Sequence, residues 1–380
     1  MNANATSSAG RWVIPLDGSA LPDRATIGGK AWSVARMLAL GLRVPPAFVI
    51  PTAVCRRYLQ AGRLPAELDS EIDAGIAWLE ARSGRRFGAG PRPLLVSVRS
   101  GAPVSMPGMM DTVLNLGIDD VTQKLLAEES GDAAFAADTR QRFESLYRDI
   151  VLKEEGAGTI PADVRIQLRH AIEAVFHSWN SRRARRYREH HGIAHDLGTA
   201  VTIQAMVFGN LDNASGTGVL FSRNPLSGAP DPYGEYLSRA QGEDVVSGRR
   251  TPVVLASLRE SNPRAFDELM QAAQRLEAES GDMQDIEFTV ESGVLYLLQS
   301  RVGKRSPRAA VRIAVEMASA GAISPQEALR RQIIILILQT ANYPWAWRSR
   351  KSLSLTASRR KPTAIPILFF LAQAVRARGT

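Results

Sequence analysis

The stretch Leu94–Gly117, LLVSVRSGAPVSMPGMMDTVLNLG, constrains this chain more than any other. Leu94–Val98 is a short apolar run, expected to be a buried strand. The strand releases Arg99 into a polar loop punctuated by glycine and proline, RSGAPVSMPG, before the sequence turns apolar again. A rigid strand that hands an arginine to a loop is a good way to hold a cation over an anionic substrate. The plain alternative is a strand end with a surface arginine.

Charge excludes more than it suggests. The net charge of +9 points toward nucleic acid or an acidic membrane until its distribution is read. Beyond Glu327 there are ten Lys/Arg and no acidic residue, which leaves 37 basic against 38 acidic residues in positions 1–327. The basic character belongs to a tail, so neither nucleic acid nor a membrane is expected as a partner. Cys55 is the sole cysteine, so no intrachain disulfide forms. The N-terminus lacks a basic segment followed by an apolar core, and the apolar islands Ile333–Leu338 and Ala364–Val375 fall short of the roughly 20 residues that span a bilayer. A cytoplasmic protein is expected.

Along the chain, Gly28-Gly29-Lys30 opens a helix whose Trp32, Ala35, Leu38 and Ala39 form an apolar face and which Gly41 ends. Val44–Ile50 reads as a turn into a strand, and 66–81 as a helix. Residues 119–197 read as helical: Phe143, Leu146, Tyr147 and Ile150 recur at helical spacing, as do Ile172, Val175, Phe176 and Trp179. All five histidines lie here. The grouping His190, His191 and His195 has the look of a metal site, but without a nearby cysteine a solvated helix end is the better reading. From Ala200 strands return, and VTIQAMVFGN with TGVLFSRNP reads as a hairpin around the loop Gly209–Gly216. A helix over 263–279 precedes a second hairpin, Asp285 to Arg301.

Two phosphate motifs are absent. A P-loop ending at Gly29-Lys30 needs glycine at 24 and Ser/Thr at 31, where the chain has Arg24 and Ala31, and no GxGxxG follows a strand. The second hairpin offers another architecture. Asp285 and Glu287 alternate with Ile286 and Phe288, so both carboxylates lie on one face. A three-residue turn at Glu291-Ser292-Gly293 would set Asp285 opposite Gln299 and Glu287 opposite Leu297, with Gln299 and Arg301 sharing the carboxylate face. Two hard anions and an amide oxygen suit Mg²⁺, and the arginine suits a phosphate. A hairpin with one solvated face is the alternative, and a one-residue bulge would spoil the alignment.

The strings GGK, SVRSGAPVSMPGMMDTVLNLG, QAMVFGN, SGTGVLFSRNP, AQGEDVVSGRRTP, QDIEF and LLQSRVGKR resemble the ATP-binding domain of the pyruvate, phosphate dikinase family, from about Gly28 to Glu327. The resemblance implies an α+β, ATP-grasp fold: two β-rich lobes clasping MgATP, with a helical subdomain inserted. It divides the chain into a first lobe (10–118), a helical insert (119–198), a second part with the metal hairpin (199–330) and an irregular basic tail (331–380). The tail's loss of acidic residues and of periodicity reads as a shifted reading frame, with a lineage-specific tail that docks its apolar islands on the body as the alternative. The resemblance implies transfer of the β-phosphoryl group of ATP to a histidine, while the γ-phosphate joins inorganic phosphate as pyrophosphate. Lys30 and Arg99 are similar to the family's polyphosphate cations and Arg301 to the arginine on the terminal phosphates. Arg99 and Arg301 are the catalytic candidates. Asp285, Glu287 and Gln299 are similar to its metal ligands, and Arg142, Glu243 and Asp244 to polar groups around the nucleotide. Gln204, Met206 and Val207 would present backbone groups to adenine, and Asn210–Gly218 is similar to a mobile loop over the phosphates. The family commonly has GGKG where Ala31 stands here. The resemblance stops short of the family's phosphohistidine domain and pyruvate-binding barrel, and none of the five histidines sits in the family's acceptor motif. The acceptor is therefore expected in trans. A water-using phosphoenolpyruvate synthase relative, or a nucleotide-binding remnant without turnover, is the alternative.

Overall fold

The computed structural model describes residues 12–153, 158–246 and 251–331. The chain begins β1 (Ile14–Leu16), α1 (Arg24–Ala39), β2 (Ala47–Ile50), α2 (Thr52–Ala61) and α3 (Glu67–Ser83). The two-residue strands β3 (Arg86–Phe87) and β4 (Pro93–Leu94) lead into β5 (Val96–Gly101) and β6 (Thr112–Leu116). Four helices follow: α4 (Asp120–Ser130), α5 (Ala133–Tyr147), α6 (Val164–Ser178) and α7 (Arg182–His191). Next come β7 (Ala200–Ala205), β8 (Gly216–Phe221), β9 (Tyr233–Ser238), α8 (Gly242–Val246), β10 (Val253–Val254), α9 (Ala256–Ser261) and α10 (Pro263–Ser280). The hairpin β11 (Gln284–Glu291) and β12 (Val294–Val302) precedes α11 (Pro307–Ser319). The fold is α+β with two five-stranded antiparallel sheets, one in the order β1-β2-β7-β5-β6 and the other β10-β9-β8-β11-β12, and a small parallel pair β3-β4.

Two compact units divide the chain. Among the described residues, the first holds those within 12–219, 234–272 and 286–301; the second holds 220–233, 273–285 and 302–331. In the first, strand alternation gives sheet β1-β2-β7-β5-β6 two different faces. Phe48, Ile50, Val96, Val98, Val113, Val201 and Ile203 form one buried apolar cluster with Leu68 and Ile76 of α3 and with Phe143, Tyr147, Ile172, Val175 and Phe176 of α5 and α6. The helices between 119 and 198 thus complete the core of that sheet. The other face carries Ser97, Arg99, Thr202 and Gln204, with Arg99 paired to Thr112 and Thr202, and Ser97 to Gln204. In the second unit, α11 packs Ala309, Ile313 and Met317 on Met283. There Arg223 bridges Glu277 at 2.8 Å and Glu316 at 2.9 Å.

Several expectations change. Residues 200–221 are not a hairpin, because β7 lies between β2 and β5 while β8 pairs in the other sheet. Alternation marks a strand but does not name its partner. Arg99 is inside β5, which runs on to Gly101. Helix α2 is an addition: Pro51 and Gly62 bound one short segment with Val54, Cys55 and Tyr58 buried on one side. In α1, Trp32 and Leu38 are only partly buried and Ala39 is exposed, while Ala31, Ser33, Val34, Arg36 and Met37 are buried. The second hairpin turns on two residues, Ser292 and Gly293, both left-handed with φ of 47° and 82°. Of the three histidines, His195 accepts from Arg188 at 3.1 Å and His191 lies on the Tyr187 ring, and no metal-binding group of His, Cys, Asp or Glu gathers among the described residues. The tail beyond Arg331, with its apolar islands and the frame-shift reading, lies outside the described residues.

Candidate functional site

The Gly28-Gly29-Lys30 turn fixes the first cation. Gly28 interrupts α1 with φ 76° and ψ 165°. A Cβ there would sit 1.8 Å from the Gly101 carbonyl oxygen, so only glycine lets the helix approach the end of β5 this closely. The Gly29 amide then donates to the Ala102 carbonyl at 2.9 Å. This docking brings Lys30 against Gly101, two residues beyond Arg99 on the same strand face.

Lys30 is partly buried, and its ammonium is pulled down to about 7. Burial is the largest cause, repulsion from Arg99 and Arg301 adds to it, and Glu287 opposes it. Three cations and one carboxylate therefore share one field. Arg99 reaches Glu287 at 3.5 Å, and its buried Nε meets no hydrogen-bond partner among the described residues. Beside it, the buried Thr202 hydroxyl likewise has none.

Gln299 joins this face through two departures from the expected register. A two-residue turn sets Phe288 opposite Leu297 and Val290 opposite Leu295, and all four are buried. On that register alone Gln299 would turn away from Glu287. The strand changes phase beyond Leu297, however. The Leu297 amide leaves the sheet edge for the Arg43 carbonyl at 2.9 Å, and the Ser300 amide leaves by the same edge for the Ser33 hydroxyl at 2.8 Å. Amides on one edge of a regular strand recur every second residue, and these are three apart, so one residue is bulged between them. Past the bulge, Gln299 and Arg301 share the face of Glu287. Asp285, 6% exposed, lies two residues before Glu287 on β11.

Arg142, Glu243 and Asp244 come together as a separate group. The guanidinium donates to Asp138 at 2.7 Å, Glu243 at 2.7 Å and Asp244 at 2.8 Å. Burial alone would depress it, but the carboxylates of Asp244, Asp138 and Glu243 outweigh that and hold it raised. A chain of amides extends the group. Asn210 donates to Asp138 at 3.4 Å, Gln241 to Asn210 at 3.2 Å, and Asn115 to Gln241 at 3.3 Å. Asn115, fully buried with φ 57°, went unnoticed in the sequence; its signal was a lone amide inside the apolar strand TVLNL.

The backbone positions read for adenine are partly engaged. Gln204 is buried in the β7 ladder, the Met206 amide donates to the Leu95 carbonyl at 2.9 Å, and Val207 lies just beyond the strand end, partly buried. The loop read as a phosphate cover is tied to the hairpin tip. Asp212 accepts from Ser215 and Ser292, each at 2.6 Å, and the Gly293 amide donates to the Ala214 carbonyl at 3.1 Å. That tip begins five residues along the chain from Glu287, roughly 16 Å at strand spacing. The loop nearest the cations in the sequence is instead 102–111, which follows β5.

For Mg²⁺, the oxygen donors here are Glu287 and Gln299, with Asp285 on the same strand. Such a set fits a cation that uses one or two carboxylates and takes its remaining ligands from water and substrate phosphate.

The sequence matches the family described as "Pyruvate phosphate dikinase, AMP/ATP-binding domain" over residues 24–83 and 61–262. It is 44% identical over 381 residues to pyruvate, phosphate dikinase of Rhizobium meliloti (strain 1021), covering 84% of this chain and 42% of that protein. It is 43% identical over 347 residues to the chloroplastic pyruvate, phosphate dikinase 1 of Zea mays, covering 80% and 36%. The Clostridium symbiosum enzyme of the same name is 40% identical over 365 residues, covering 84% and 42%. The chain spans about two-fifths of the length of these curated relatives. No helix among the described residues is long and apolar enough to cross a membrane. The chain belongs to the pyruvate phosphate dikinase AMP/ATP-binding domain family.

Proposed function

We propose that this chain is the nucleotide-binding part of a dikinase-type phosphotransferase with an ATP-grasp arrangement. It binds MgATP on the polar face of sheet β1-β2-β7-β5-β6 and hands the β-phosphoryl group to a histidine supplied in trans. The observation that carries the reading is the shared field of Lys30, Arg99, Arg301 and Glu287. Three cations around one carboxylate suit a polyanion accompanied by a divalent metal, and phosphoryl transfer is mostly positioning and charge neutralisation.

In this reading Lys30, Arg99 and Arg301 take the phosphate oxygens, and Glu287, Gln299 and Asp285 supply the metal's protein ligands. Mg²⁺ held there would supply charge screening on the phosphates. The bond between the α- and β-phosphates breaks and AMP leaves. The bond between the β- and γ-phosphates breaks as well: the γ-phosphoryl group joins inorganic phosphate as pyrophosphate, and the β-phosphoryl group passes to an imidazole nitrogen, whose proton, if it carries one, goes to solvent. The family description names AMP and ATP as the nucleotides, in accord with this stoichiometry. Arg99 rests on Glu287 at 3.5 Å, so phosphates and a metal bound there would separate that pair.

Calorimetry on the full chain tests binding, and β-labelled ATP with a phosphohistidine domain from a relative tests transfer. Mg-dependent ATP binding is expected, together with label on the acceptor histidine. Glu287→Ala should weaken MgATP binding at least about tenfold, as loss of a metal ligand does. Unchanged MgATP binding in that variant would remove Glu287 from the site. Binding without labelling would mark a nucleotide-binding remnant.

A further inference from the structure

We propose that Ser33 is a positioning residue whose hydroxyl clamps the backbone of Ser300 and so turns Gln299 and Arg301 toward the phosphate-binding face. The inference rests on the MgATP reading above and adds a residue that reading does not use.

The Ser33 hydroxyl donates to the Ser300 carbonyl at 2.7 Å and accepts from the Ser300 amide at 2.8 Å. Both side chains are buried, Ser33 at 2% exposure and Ser300 at 4%. A hydroxyl has one donor and two acceptor sites, so a single group satisfies both backbone atoms. Those atoms need a partner because β12 is the edge strand of its sheet. The bulge directs the N–H and C=O of Ser300 outward together, and no further strand pairs there among the described residues. Without Ser33 both atoms would lose this hydrogen bond, and relaxing the bulge would rotate the flanking Gln299 and Arg301 out of place.

The spacing along α1 supports the assignment. Lys30, Ser33 and Arg36 recur every three residues on one side of the helix. Lys30 meets the field of Arg99 and Arg301, Ser33 takes the Ser300 backbone, and Arg36 donates to the Ser300 hydroxyl at 3.3 Å. One helix face thus carries a phosphate cation and also fixes the strand that carries Gln299 and Arg301. The clamp would act on ligands that reach those two side chains and spare ligands that do not.

The test compares MgATP with AMP, which lacks the two outer phosphates, on the full chain. Ser33→Ala should weaken MgATP binding on the order of tenfold, in line with two buried backbone groups losing their partner, and leave AMP binding within about twofold. Ser33→Thr, which keeps the hydroxyl, should restore MgATP binding. Ser33→Cys fills the same space with a poor hydrogen-bonding group and should not. Amide exchange in residues 297–302 should speed up in Ser33→Ala and Ser33→Cys. Equal losses for MgATP and AMP, full rescue by cysteine, or unchanged exchange would each overturn the clamp. Failure of the unaltered chain to bind MgATP would remove the nucleotide reading and this role with it.

Discussion

Lys30 offers the sharpest test of the site. Its ammonium ordinarily loses a proton near 10.5, and here burial, then Arg99 and Arg301, pull that down to about 7 despite the pull of Glu287. At about 1.4 kcal/mol per pH unit, holding the charge in the empty site costs on the order of 5 kcal/mol. A polyphosphate laid against it reverses the balance, because the same burial that penalises a lone cation strengthens its attraction to an anion. At pH 8 the empty site carries the proton about one-tenth of the time and the filled site nearly always. Binding should then take up about 0.9 proton. The terminal phosphate is already deprotonated at that pH, since such groups titrate near about 6. Affinity should fall up to about tenfold per pH unit between roughly 7 and 9.

Calorimetry of MgATP binding at pH 8, in buffers of different ionisation enthalpy, reads the proton number directly. Lys30→Arg keeps a permanent charge, so its uptake should be near zero and its affinity flat over the same range. Zero uptake by the unaltered chain, or equal uptake by Lys30→Arg, would refute the reasoning. Stability supplies an independent check with the same sign. The folded pKa lies below the unfolded one, so between pH 7 and about 10.5 the unfolded chain holds more protons. Lys30 therefore destabilises the empty protein fully below pH 7, and the burden lifts as pH rises. The gap in stability between Lys30→Met and the unaltered chain should narrow over that window.

Two further perturbations separate charge from geometry. Arg142→Met strips the guanidinium from Asp138, Glu243 and Asp244, the last with a side chain only 5% exposed. Unpairing a buried charge costs about 3–5 kcal/mol, so the denaturation midpoint should drop sharply, and an unmoved midpoint would show that the group contributes nothing net. Arg99→Lys keeps the charge but loses the planar fork, and MgATP should bind roughly tenfold more weakly if a phosphate is held by two nitrogens. A lysine variant with unaltered affinity would show that only charge counts there.

Much of the fold is legible where one signal suffices. Strand β5 reads from an apolar run, α5 and α6 from the spacing of their apolar residues, and the last hairpin from alternation around Ser292-Gly293. What failed depends on partners distant in the chain. β7 and β8 look like a hairpin because each alternates and a small-residue loop joins them, but β7 is held between β2 and β5 by a ladder that includes Arg99 and Thr202. Helix α2, ten residues long, has too few turns for its periodicity to stand out beside the strand before it.

The hairpin register is the most instructive case, because two local departures offset each other there. The turn is one residue shorter than its sequence suggested, and this alone carries Gln299 away from Glu287. The bulge before Ser300 brings it back. Neither is written in the alternation of DIEFTV or VLYLLQSR, since alternation reports the phase of a regular strand and says nothing of where that phase slips. What fixes the slip is a hydroxyl 267 residues earlier in the chain, on the helix that also presents Lys30. The site's cations therefore depend on an edge contact as much as on their own strands. A family member with the same hairpin must place at that helix position a side chain that both donates and accepts. If it does not, its strand must run without the bulge, and the arginine corresponding to Arg301 would leave the face of Glu287.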